Sequence, residues 1–127
     1  MILLALALAL QAAAPPAADP VAEEVVVIGE KMKTWRGQIS SGKNGVVCKV
    51  KVSTGDPALD RIGCTAMEQC WPDFLPRYKA TRSKGVTAKD RKACTAALDQ
   101  ELSTCVTARH EAAIAELADA RVAEKSK

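Results

Sequence analysis

Five cysteines, Cys48, Cys64, Cys70, Cys94 and Cys105, constrain what this 127-residue chain can fold into more than any other feature. Their spacings of 15, 5, 23 and 10 intervening residues contain no C-x-x-C, so neither a zinc ribbon nor a thioredoxin-like redox centre is signalled. Structural disulfides formed in an oxidising compartment, such as a bacterial periplasm, are the direct reading. Two bridges leave one thiol over. Composition shows why staples are needed: 23 residues are Ala, and Trp35, Trp71, Phe74 and Tyr78 are the whole aromatic complement, so a single domain of this size has a thin core.

The N-terminus agrees with that compartment. Ile2 to Leu10 is an unbroken apolar run, followed by Gln11, Ala12-Ala13-Ala14-Pro15-Pro16 and, at Asp19, the first charged side chain. This is the pattern of a signal-peptide h-region and c-region, and the run falls well short of the ~20 apolar residues a membrane span needs. Residues 1–18 are therefore expected to be a signal peptide, with the protein periplasmic or secreted and no transmembrane segment in the mature chain. Residues 19–24 read as a tether, and 25–127 as one small domain with a helical C-terminal extension.

Within that domain the β-branched run Val25-Val26-Val27-Ile28 before Gly29 predicts a strand. Two alternating segments follow. Trp35, Gly37 and Ile39 share one face, as do Val46, Cys48, Val50 and Val52, and Gly42-Lys43-Asn44-Gly45 between them tolerates positive φ, so a β-hairpin is expected with Cys48 pointing inward. Asp56 and Pro57 form an N-cap and first helical position, opening a helix that Pro72 is expected to stop near Trp71. Residues 72–86 read as a connector. Thr87 caps a second helix, on which Cys94, Leu98, Leu102, Cys105, Val106, Ala113 and Leu117 make an apolar stripe interrupted by Arg109 and Glu116. Past Ala108 the Ala-rich remainder is expected to project, fray or pack on something outside the chain. The fold class expected is α+β: a small antiparallel sheet, the hairpin plus a third strand, packed on two helices and stapled by disulfides.

Cys64 and Cys70 occupy different faces of the Pro57 helix and so take different partners. Cys48 precedes that helix by one short connection and can meet Cys64. Cys70 then bridges to the second helix, through either Cys94 or Cys105.

Few residues suggest chemistry. His110 is the lone histidine, so no His cluster can hold a metal, and it lies on a different side of its helix from Cys105, a poor angle for a nucleophile and base. The carboxylates are scattered, and Gly42 to Gly45 is a hairpin turn rather than a phosphate loop. No cofactor, metal or catalytic set is expected. Formal charge is uneven, however: residues 31–92 carry fourteen Lys/Arg against five acids, within an overall charge of +3. The densest run is Arg77, Lys79, Arg82, Lys84, Lys89, Arg91 and Lys92, which suits an anionic partner. In an exported protein that partner is lipopolysaccharide or anionic phospholipid rather than nucleic acid. Cys94, close to Lys89, Arg91 and Lys92, stands where a thiolate is favoured.

Two stretches carry a resemblance. Glu24 through Met32 with Trp35-Arg36-Gly37, and Val47-Cys48-Lys49 through Ser53-Thr54-Gly55-Asp56 to Ile62-Gly63-Cys64 and Cys70, resemble small exported cysteine-containing proteins of unassigned function from alphaproteobacteria. That resemblance implies export and disulfides. It matches Cys48, Cys64, Cys70 and Cys105, which implies the pairing Cys48–Cys64 and Cys70–Cys105 and leaves Cys94 as a free thiol. Glu24 to Gly29 is also similar to the segment that opens TonB-dependent outer-membrane receptors, although the chain is far too short for such a barrel.

The function expected is an exported, non-enzymatic interaction or structural module of the cell envelope. The alternatives are a binder of anionic envelope surfaces through the basic run, and a thiol redox protein using Cys94.

Overall fold

Asp19-Pro20 is a helix start of the same kind as Asp56-Pro57, and the chain uses both. A computed structural model gives the structure of residues 19–127; the expected signal peptide, 1–18, lies outside the described residues. The first element is α1 (Pro20–Met32), whose N-cap Asp19 accepts a hydrogen bond from Val21 N–H at 3.0 Å, with Pro20 where its missing donor is harmless. Two expectations are corrected here. Residues 20–24 are the opening turns of a helix, not a tether, and Val25-Val26-Val27-Ile28 is helical rather than a third strand. The reason is the spacing of Val21, Val25, Ile28 and Met32, which puts one stripe against the core while Val26 and Val27 remain 63% and 47% exposed. Burying that stripe outweighs the weak local preference of β-branched residues for strands.

The hairpin forms where its alternation placed it. Strand β1 (Arg36–Gly42) pairs antiparallel with β2 (Gly45–Val52), Ile39 opposite Cys48 and Gly42 opposite Gly45. The turn is Lys43-Asn44, closed by Gly45 at φ +99. These two strands are the entire sheet. It is thinly covered: Cys48 and Ile39 are half-buried, but Val50 and Val52 on the same face remain 41% and 48% exposed.

Helix α2 (Pro57–Ala80) is capped as expected, with Asp56 accepting from Ala58 N–H at 3.0 Å. Asp60 ties down the preceding loop by accepting from Thr54 N–H, from the Thr54 hydroxyl and from Ser53 Oγ. The helix does not stop at Trp71. It runs on through Pro72 and Pro76 to Ala80, at roughly 3 kcal/mol for each interior proline. Contacts on both sides of the prolines outweigh that cost. Cys70 and Phe74 are buried, Trp71 stacks on Tyr78 at 5.3 Å, and the far half is anchored to the next helix by Tyr78–Asp99 and Arg77–Glu101. The expected connector thus shrinks to the turn around Gly85, φ +90.

Helix α3 (Ala88–Lys125), capped by Thr87, is the spine: 38 residues, about 57 Å long. Helix α2 packs along it, and α1 packs on its last third. Ile28, Leu59 and Ala118, all fully buried, meet where the three helices converge. The Ala-rich end therefore neither projects nor frays; its partner is α1, from within the chain. Small residues such as Ala118 are what let α1 approach closely. The fold is α+β, with three helices rather than two and a two-stranded sheet among the described residues. Two disulfides join Cys48 to Cys64 and Cys70 to Cys105. No helix among the described residues is long and apolar enough to cross a membrane.

Candidate functional site

The residues singled out in the sequence gather at the elbow where α2 gives way to α3. Local folding explains the bend: Thr81 ends α2 with its hydroxyl donating to the Tyr78 carbonyl at 2.7 Å, and Thr87 restarts the helix by accepting from Asp90 N–H at 3.1 Å. Arg91 closes the elbow, its Nε donating to the Thr81 carbonyl at 3.1 Å.

The seven basic residues divide into two kinds. Arg77 and Arg91 are structural. Arg77 pairs with Glu101 at 2.7 Å and its guanidinium lies 5.2 Å from the Phe74 ring centroid. The hydrogen bond between them lowers the Glu101 pKa and raises that of Arg77, so both remain charged. Lys79, Arg82, Lys84, Lys89 and Lys92 are exposed and make no ion pair among the described residues. Five uncompensated cations thus surround one tight turn, with Asp90 the sole acid between Arg77 and Lys92.

Cys94 is free and exposed, one turn further along α3. It was expected on the inner stripe with Leu98, but it opens instead onto a shallow cleft of about 390 Å³ walled by Ala80, Val86, Ala97 and Leu98. Arg77 and Glu101 also line that cleft. Tyr78, on α2, donates to Asp99 at 2.6 Å; burial, reinforced by Asp99, pushes the phenol up to about 12.

His110 lies well away from the elbow. Its Nε2 is 3.5 Å from the Gly63 carbonyl and its ring stands edge-on to Trp35, with centroids 6.3 Å apart. Trp35 fills the angle between hairpin and α2, lying so close over Gly37 and Gly63 that a Cβ at either position would overlap the indole. This is a packing joint.

Arg61 belonged to no site in the sequence, and Arg109 was noted only as a break in the apolar stripe. The structure brings them to a common cleft between α2 and α3. An arginine on an otherwise apolar helix face was the available signal, and its partner could be found only once the two helices were paired.

Among the described residues, no group of three or more His, Cys, Asp or Glu side chains could hold a metal ion. No protein-family model, curated protein or solved structure matches this chain.

Proposed function

We propose that this protein is exported to the bacterial envelope and works there as a non-enzymatic interaction module, meeting anionic envelope surfaces through the α2–α3 elbow. The observation that carries this reading is the cluster of Lys79, Arg82, Lys84, Lys89 and Lys92 around a single turn, exposed and without internal counter-charges. The two disulfides support export, because such bridges persist in oxidising compartments. Each cation held near an anionic surface contributes about 1 kcal/mol. Five together give useful attraction without any deep pocket.

Co-sedimentation of the mature protein with vesicles containing phosphatidylglycerol, and with lipopolysaccharide, tests the proposal. Binding is expected to fall steeply with salt, since the screening length contracts from about 10 Å at 0.1 M to about 3 Å at 1 M. Changing the five residues to Gln is expected to weaken it by about a hundredfold or more. Binding that ignores salt, or no binding to either surface, removes the reading.

A second reading rests on Cys94, the one free thiol among the described residues, standing exposed beside the elbow cleft: a thiol–disulfide exchange role. A Cys94→Ser protein with unchanged redox behaviour ends it.

A further inference from the structure

Several charged side chains bridge the helices in pairs. Arg121 reaches Asp56, Lys125 reaches Glu24, and Arg77 reaches Glu101. Arg61 and Arg109 do not. Neither makes an ion pair or a side-chain hydrogen bond among the described residues, and neither has a carboxylate three or four residues away on its own helix. Yet these two arginines, on different helices, line the same cleft of about 390 Å³, whose other walls include Ala58, Ile62, Thr65, Ala66 and Ala113. Both arginines are exposed, with no counter-charge of their own, and are free to share one anion.

The cleft also has a direction. It shares Ala58, Ile62 and Ala113 with a second depression of about 280 Å³ that continues along α3 to Leu117 and Ala120. From Ala113 to Ala120 the helix rises about 10 Å. The result is a trough with two forked cations at one end and aliphatic walls leading away from them. Glu116, between Ala113 and Ala120, lines that second depression and would repel an anionic head there, which fixes the orientation.

We propose that this trough binds a single-chain aliphatic carboxylate, its head group between Arg61 and Arg109 and its chain along Ile62, Ala113 and Leu117. Guanidinium forks match the planar carboxylate, and the small aliphatic lining suits one hydrocarbon chain rather than two. The site is separate from the elbow, and neither reading depends on the other.

The test uses decanoate below its micelle concentration, with decanol and acetate as the tail and the head alone, followed by NMR on the mature protein. Decanoate is expected to shift the methyl signals of Ile62, Ala113 and Leu117 and the Nε signals of both arginines saturably, and to bind at least about tenfold more tightly than either fragment. Arg61→Gln and Arg109→Gln are each expected to weaken decanoate by about five- to tenfold. Because neither arginine has an internal partner, both variants are expected to keep the parent's unliganded melting temperature, which separates lost binding from lost folding. Decanol binding as tightly as decanoate, a double variant that binds like the parent, or shifts confined to the Cys94 cleft each overturn the proposal.

Discussion

Trp35 shows how one side chain can dictate what its neighbours may be. Its indole is packed over Gly63 in the middle of α2, so the residue least suited to a helix interior is the one that fits there. Gly63→Ala would gain about 1 kcal/mol of helix propensity, but forcing a methyl against a hemmed-in ring costs about 1–3 kcal/mol. The clash is expected to win, lowering stability by up to about 2 kcal/mol in denaturant unfolding. Gly29 in α1 makes the opposite case. A Cβ there meets nothing within 4 Å, so Gly29→Ala is expected to stabilise by about 0.5–1 kcal/mol. Two Gly→Ala changes in helices with opposite signs check the packing joint directly; two gains would show that Trp35 yields easily.

At the scale of elements, the hairpin is the least self-sufficient part. Two strands with largely solvated faces are marginal alone, and this pair is fixed to α2 by Trp35 and by the Cys48–Cys64 bridge. Removing the bridge by Cys48→Ser with Cys64→Ser is expected to cost about 3 kcal/mol, given its sequence separation of 16. Hydrogen exchange should then accelerate in β1 and β2 while amides of α2 and α3 near Cys70–Cys105 remain protected. Equal acceleration everywhere would mean that the hairpin and helices unfold as one unit. The hairpin was readable in the sequence because alternation and a two-residue turn are local signals, and Asp56 and Thr87 were readable because caps are local too. Helix α1 was not, since four β-branched residues in a row look like a strand until Ile28 has α3 to pack against. Nor could Pro72 and Pro76 be seen as interior, because what carries α2 past them is Asp99, Glu101 and Cys105 on another helix. The same divide runs through the candidate sites: the elbow is contiguous in sequence and visible, whereas Arg61 and Arg109 meet only through tertiary pairing.

Across the whole molecule, the beginning and end of the fold are held together by charge. Arg121 near the end of α3 donates to Asp56 at the start of α2 at 2.6 Å, while Glu24 of α1 takes Lys125 at 3.0 Å. The Arg121 hydrogen bond holds the Asp56 carboxyl below its ordinary value of 3.8, reinforced by the Ala58 amide. A lowered carboxylate pKa contributes stability that is present above the unfolded value and lost as pH falls through the folded one. Arg121→Gln is accordingly expected to cost about 1 kcal/mol at neutral pH and progressively less as pH is lowered from about 5 toward 2. A loss of the same size across that range would point to packing of the arginine stem instead of its charge.

The two disulfides also determine how this chain would respond to being pulled. Cys48–Cys64 and Cys70–Cys105 both have one end on α2, so residues 48–64 and 70–105 lie in covalently closed loops, while α1, β1 and α3 beyond Cys105 lie outside them, with α1 and the end of α3 gripping each other. Under tension applied at residues 19 and 127, the contact between α1 and the end of α3 is the part that gives way. The segments spanning 16 and 35 residues inside the loops cannot lengthen while the bridges last. A chain built this way would yield early at its ends, losing the trough that needs Arg109 and Ala113 beyond Cys105, while the elbow stays inside a loop that cannot lengthen.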